Sequence, residues 1–300
     1  MLLRTLPALL LLVTACSPSV APGTTAAAPS TATSPGPVAT VLPASAPPLH
    51  CSLPIETEAG ASGFLSFPGG DFTPAATAPA VIPEIGGYYT QTFDWAYSKW
   101  LPVGPMEISP DGSRYAYKSP AGILKVVDVV SGAIAPIPAS RGWNLIATAN
   151  DGVYVHTFLG RTGLWFLRYA GGDPVQVSPA GYSYLALGGG HAYASAGKDD
   201  QTLLQVDLHT GAAEKFADPP AAILGFDNSG DPVVRLANGL VLMPAPYRQV
   251  AVADQAPPGF VVGDANGIWF PLADGIYLGT SAGHSTRMSS MPGLVEGSCR

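Results

Sequence analysis

Charge is scarce in this chain. Only 12% of the 300 residues are charged, with 14 Lys+Arg against 21 Asp+Glu and a formal net charge of −7. Lys and Arg nowhere form a cluster, which argues against nucleic acid as a partner, because neutralising phosphates takes grouped cations. Cysteine is equally rare, at 3 residues. The histidines, His50, His156, His191, His209 and His284, never stand at ligand spacing, so zinc is not expected. No other cofactor is expected either. Beyond residue 16 no apolar run reaches the roughly eighteen residues a membrane helix requires. No segment keeps a capped 3.6-residue periodicity, so helix should be nearly absent. A complete catalytic signature is also missing, which favours a non-enzymatic role.

What the chain does have begins at its first residues. Arg4 precedes the apolar run Leu6–Val13, which ends in Thr14-Ala15-Cys16. A basic start, a short apolar stretch and small residues before a cleavage point make a secretory signal. Val13-Thr14-Ala15-Cys16 resembles a bacterial lipobox. That resemblance implies that residues 1–15 are removed and that Cys16 carries diacylglycerol and palmitate. The expected location is the extracytoplasmic face of the cell envelope, with the membrane as first partner through the lipid. Residues 16–50 contain Ala, Pro, Ser, Thr, Val and Gly and no charge. Such a segment buries too little apolar surface to offset its ordering entropy, so a disordered linker is expected. At about 3 Å per residue it reaches on the order of 100 Å from the bilayer at full stretch.

Residues 51–300 are the folded part. Cys51 opens it and Cys299 nearly closes it. In an oxidising compartment such a pair reads as a disulfide, with two separate thiols as the alternative. The 35 Gly and 31 Pro fall at regular intervals. Ser109-Pro110-Asp111-Gly112 is followed by turns ending at Gly152, Gly190, Gly230 and Gly267, at steps of 40, 38, 40 and 37 residues. A second turn series sits behind the first, at Val130-Ser131-Gly132, Ala170-Gly171-Gly172, His209-Thr210-Gly211, Pro246-Tyr247-Arg248 and Ser281-Ala282-Gly283. Four short β-rich runs per forty residues is the period of a propeller blade. The stretch Ile108–Tyr117, with its S-P-D-G turn and alternating aromatics, resembles the blade motif of WD40-like, TolB-type propellers. The resemblance supports the fold and implies little about function.

Five repeats span Met106–Ser289, each opening on an inner strand, the first at Met106–Ser109. Residues 51–103 supply a sixth, irregular blade from Cys51–Ile55, Gly63–Phe67, Tyr88–Asp94 and Lys99–Val103. They would give a seventh if they hold more than one. The tail Leu294–Cys299 has no blade of its own, so it is expected to lie in the first blade beside Cys51. The fold class is thus all-β, a single six-bladed β-propeller.

Several short matches are read as turns. Gly279-Thr280-Ser281-Ala282-Gly283 fits G-x-S-x-G, but no helix pattern follows and the triad order is wrong. Ser195-Ala196-Gly197-Lys198 fits S-x-x-K, but outside a helix. Asp227–Asp231 alternates oxygens like a calcium loop but lacks the distal glutamate. Tyr115, Tyr117, Tyr154, Trp165, Phe166 and Trp269 are expected to pack between blades. The loops assigned to one face carry Lys118, Arg141, Trp143, Arg161, Tyr182, Lys198, Asp199 and Asp200. A rim of cations and aromatics suits an anionic ligand or another envelope protein, and scattered solvated charge is the alternative. The chain is expected to be a monomeric binding or scaffold module. A hydrolase or lyase built on Asp199 and Asp200 is the competing expectation.

Overall fold

The computed structural model describes residues 49–76, 91–157, 162–179, 183–196, 202–217, 222–237, 239–255, 257–280 and 284–300. Residues 47–300 form one compact unit. Among the described residues there is no α-helix, only strands and a single 3-10 turn at Pro105–Glu107. Blade A holds β1 (Ser52–Thr57), β2 (Ser62–Ser66) and β3 (Asp71–Pro74). A separate hairpin follows, β4 (Thr92–Asp94) and β5 (Lys99–Leu101). Blade B is β6 (Arg114–Lys118), β7 (Leu124–Asp128) and β8 (Ile134–Pro136). Blade C is β9 (Asn144–Thr148), β10 (Gly152–His156), β11 (Leu164–Arg168) and β12 (Val175–Ser178). Blade D is β13 (Ser183–Gly188), β14 (His191–Ala196), β15 (Thr202–Asp207) and β16 (Ala213–Ala217). Blade E is β17 (Ala222–Phe226), β18 (Pro232–Leu236), β19 (Gly239–Ala245) and β20 (Arg248–Ala253). Blade F is β21 (Val262–Asp264), β22 (Gly267–Leu272), β23 (Gly275–Gly279) and β24 (Ser285–Ser289). The last strand, β25 (Gly293–Val295), pairs with β1 and becomes the inner strand of blade A. The protein is a six-bladed propeller.

The closure follows the expectation from the tail. Ile55 faces Val295 and Glu56 faces Leu294 across the antiparallel β1–β25 pair. Beyond the strand, Glu296 N–H donates to Pro54 O, and Ser52 and Arg300 exchange backbone hydrogen bonds of 2.8 and 3.2 Å. Cys51 and Cys299 are bridged, with Cα atoms 5.4 Å apart across a sequence separation of 248. Asp264 of blade F fastens the same corner. Its Oδ2 accepts from Trp269 Nε1–H at 2.8 Å and from Cys299 N–H at 2.7 Å.

The sixth blade is built differently from its sequence reading. Its outer strand is β3, which follows the Gly69-Gly70 turn at once. The 92–101 hairpin is an insert that bridges blades A and B, and residues 88–90 of the expected strand lie outside the described residues. The inner strand expected at Met106–Ser109 is also absent. Pro105 opens a 3-10 turn there, and blade B keeps only a single bridge between Ile108 and Tyr115. Within that turn Glu107 N–H donates to Gly104 O and Ile108 N–H to Pro105 O, so these groups are spent locally and not on a ladder with β6.

The core lies between blades. Val153, Val155 and Leu167 of blade C pack on Ala116 and Leu124 of blade B. Leu53, Ile55 and Leu65 of blade A pack on Trp269 and Ile276 of blade F, with Phe67 stacked on Trp269 at 5.4 Å. The same construction recurs between C and D, D and E, and E and F. A bulge recurs with it. In blades C to F the outer strand carries one unpaired extra residue, Val177, Phe216, Val252 and Met288 respectively. An extra residue turns the following side chains to the other face. Each bulge thereby aims an apolar side chain into an inter-blade cluster, with Phe216 and Val252 nearly fully buried. Close approach of inner strands also fixes one glycine. A Cβ on Gly225 would stand 2.2 Å from Val261 O.

Cys299→Ser should lower stability by about 2–5 kcal/mol, since the bridge closes almost the whole folded chain. Chemical denaturation of oxidised wild type against the variant measures it. Coincident unfolding curves would remove the bridge from the closure.

Candidate functional site

The turn that carries the S-P-D-G letters is held by its own side chains. Asp111 Oδ1 accepts from Ser109 Oγ–H at 2.7 Å, from Ser113 N–H at 3.0 Å and from Ser113 Oγ–H at 2.8 Å. These hydrogen bonds hold the Asp111 carboxyl below its ordinary pKa. Gly112 has φ +71°, a left-handed conformation that glycine adopts without strain. The turn is tied to the next blade, with Asp111 N–H donating to Asn150 Oδ1 and Arg114 donating to Asn150 O. Arg114 also lies 5.0 Å from the centre of the Tyr169 ring. Gly112 has a second task. Any Cβ there would collide with Asp94 Oδ2, an oxygen that is sealed from solvent and lacks a hydrogen-bond partner.

Because blade B contributes a bridge in place of an inner strand, space remains at the seam where the ring closes. A cavity of about 640 Å³ opens there, bounded by the β4 hairpin, the S-P-D-G turn, the segment before β21 and the tail after β25. Trp95, Phe260, Asp94 and Glu296 stand in its wall. A second cavity of about 560 Å³ adjoins it along the axis, and the two share Pro105, Ile108, Pro110, Val262 and Gly263. Its lining is largely Ala, Gly, Leu and Val, with Thr148, Tyr154 and Asp227 as polar members.

Electrostatics single out one group. Glu296 is 7% exposed. Burial first, and the neighbouring Glu56 second, push its carboxyl up to about 8, against the backbone N–H of Gln91, which favours the ionised form. Glu56 is raised as well, by burial. Gln91 Nε2–H donates to Glu56 Oε2 at 3.1 Å, and Ser62 Oγ–H donates to Gln91 Oε1 at 3.2 Å. An aromatic cluster closes the other side. Phe93 lies 4.9 Å from both Phe64 and Trp95 and 5.3 Å from Trp100. Trp95 Nε1–H donates to Ser298 O at 2.7 Å, and Phe93 N–H donates to Glu296 O at 2.7 Å. The hairpin is therefore pinned to the tail.

The residues expected on the loop rim meet mixed outcomes. Lys118 is exposed at the end of β6, with Nζ 2.6 Å from Asn144 Oδ1. Arg141 is exposed in the loop before β9. Gly142 N–H donates to Gly122 O, which sets these two loops side by side. Trp143 is a correction. It is 5% exposed, packs beside Trp165 and donates Nε1–H to Ala139 O, so it belongs to the B–C core and not to a rim. Cys16, Arg161, Tyr182, Lys198, Asp199 and Asp200 lie outside the described residues.

The Asp227–Asp231 match is a turn, whereas residues 197–198 and 281–283 of the other two matches lie outside the described residues. Asp227 Oδ1 accepts from the N–H groups of Ser229 and Asp231. Ser195 sits in β14 with Oγ 3.4 Å from Ser183 O. Thr280 N–H donates to His284 O across the β23–β24 connection. Sequence reasoning missed Glu296, Asp94 and Trp95. The available signal was one glutamate in the tail already assigned to the closing blade.

No family model matches the chain, and no curated protein matches it. Solved structures do. The computationally designed Ika8 protein is 12% identical, with TM-score 0.43, covering 80% of this chain and 76% of that one. Apo AztD from Citrobacter koseri is 13% identical, with TM-score 0.37 and coverage of 76% and 66%. BamB from Moraxella catarrhalis is 16% identical, with TM-score 0.31; the match covers 62% of this chain and 58% of BamB.

The raised carboxyl has a stability consequence. An unfolded glutamate loses its proton near 4.5, while the folded protein holds that of Glu296 to about 8. Stability should fall as pH rises through that window, on the order of a few kcal/mol, and level off above it. Glu296→Gln should flatten the fall and raise the melting temperature at pH 8.5 relative to wild type. Parallel melting curves for the two proteins from pH 5 to 8.5 would contradict it.

Proposed function

We propose that the protein is a lipid-anchored, extracytoplasmic β-propeller that acts as a ligand- or protein-binding module. The observation that carries this reading is the Cys51–Cys299 bridge sealing the ring. Disulfides persist in oxidising compartments, and the stretch Arg4–Cys16 has the form of an export and lipidation signal. Kinship with TolB-type propellers rests on the Ile108–Tyr117 run, and the other repeats match it in spacing and turn chemistry but not in letters.

Binding is favoured over catalysis by the character of the seam cavity. Two hydroxyls of its wall are already committed, Thr92 Oγ1–H to Val103 O and Ser109 Oγ–H to Asp111. Aromatic and apolar walls with a few placed polar groups are the ordinary form of a ligand site. The exposed pair Lys118 and Arg141 belongs to the same reading, as part of a rim for an anionic ligand or an envelope protein.

Cys16→Ser should release the protein from the membrane fraction or leave it unprocessed. Fractionation after a high-salt wash reads the result. A variant that stays fully membrane-bound would end the lipoprotein reading.

A further inference from the structure

We propose that the 640 Å³ cavity at the ring closure binds an alkylammonium group, carried by a small amine or a lysine side chain, with Glu296 as counter-ion and Trp95 and Phe260 as walls. The site deepens the binding-module reading and rests on it.

Charged groups face this region from five places. Glu56 comes from β1, Glu296 from beyond β25, Asp94 from β4, Asp111 from the turn before β6 and Arg300 from the tail. Two of the acids are engaged locally. Asp111 is spent on Ser109 and Ser113, and Asp94 accepts from Ala96 N–H at 2.7 Å through Oδ1, while its Oδ2 is shut off from solvent. Glu296 differs. It is more than nine-tenths buried in the cavity wall, and among the described residues no cation pairs with it. A buried carboxyl gains most from a charge-assisted partner delivered to it. An anion would meet the carboxyls of Glu56, Asp94 and Asp111, with Arg300 the one cation among the five groups. A neutral apolar ligand would offer the buried Glu296 carboxyl no charge-assisted partner.

The rings select the kind of cation. Phe260 is 41% exposed at the cavity edge, and the indole N–H of Trp95 is already spent on Ser298 O. What both residues offer is ring surface, which attracts an ammonium that retains carbon substituents. Proton linkage follows. With the cavity empty, Glu296 holds its proton at neutral pH. An ammonium beside it favours the carboxylate, so binding releases that proton to bulk water. Affinity then tightens as the pH rises toward 8.

The test is calorimetry on the full chain, with cadaverine and with an acetyl-Ala-Lys-Ala-amide peptide as probes. The Nε-acetylated peptide and 1-pentanol serve as uncharged controls. Affinity should rise about tenfold between pH 6.5 and 8.5, with net proton release in that range. Glu296→Gln should abolish the pH dependence and the proton release, and Phe260→Ala should weaken binding about two- to fivefold. Binding of cadaverine alone identifies a free amine as the ligand, binding of the peptide alone identifies a lysine side chain, and binding of both supports the shared chemistry. Failure of both charged probes to bind, equal binding of the controls, or a pH-independent affinity would overturn the site. Such a failure is separate from that of the anchored module, which the Cys16→Ser fractionation decides by itself.

Discussion

The pairing of β25 with β1 is the contact on which the rest of the structure depends. Five of the six clusters lie between neighbouring blades, and the sixth sets blade B against the β4–β5 hairpin. Each sheet is therefore stable only while both neighbours are present, and the chain of mutual support must close on itself. Without β25, blade A would expose a bare inner edge and Ile55 would lose Val295. Bare edges invite pairing with other chains. The disulfide and the hydrogen bonds that Asp264 accepts hold this contact in place. They matter because two segments 248 residues apart have a large loop entropy to overcome.

The seam is also where regularity fails, and the two facts are connected. Blade A takes its inner strand from one end of the chain, so the polypeptide leaving β3 must cross to blade B with no inner strand of its own to hand over. The β4–β5 hairpin fills that crossing, and the Pro105–Glu107 turn stands where blade B would have an inner strand. The remaining space becomes the cavity, and the groups that pin the hairpin become its wall. Glu296 is a member of both sets. Its backbone carbonyl accepts from Phe93 while its buried carboxyl faces Glu56 and Gln91. A carboxyl held near its neutral form costs stability as pH rises, so the closure carries a local electrostatic burden beside its stabilising contacts.

Elsewhere the blades solve one problem by repetition. Asp128 ends β7 and Asp207 ends β15, and each accepts hydrogen bonds from a residue of the following turn, Ser131 and Thr210 respectively. These bonds depress both carboxyls and fix the reversal into the outer strand. Beyond the turn, the outer-strand bulges of blades C to F direct an apolar residue inward. Local turn chemistry and a shifted register together convert a two-faced hairpin into a wedge that packs on both sides.

By itself the sequence determined the class and order of the structure. Turn residues such as Asp111-Gly112 and Asn266-Gly267 act through backbone sterics within four residues, and strand alternation acts within eight. Five repeats, the near absence of helix and the destination of the tail were therefore legible. Tertiary structure decided what depends on distant partners. It removed Trp143 from the surface, because a ring beside an exposed loop can still be covered by the next blade. It replaced the Met106–Ser109 strand by a turn and gave the sixth blade β3 as its outer strand. It also created the Glu296 site, since a carboxyl's environment is set by segments that meet only when the ring closes.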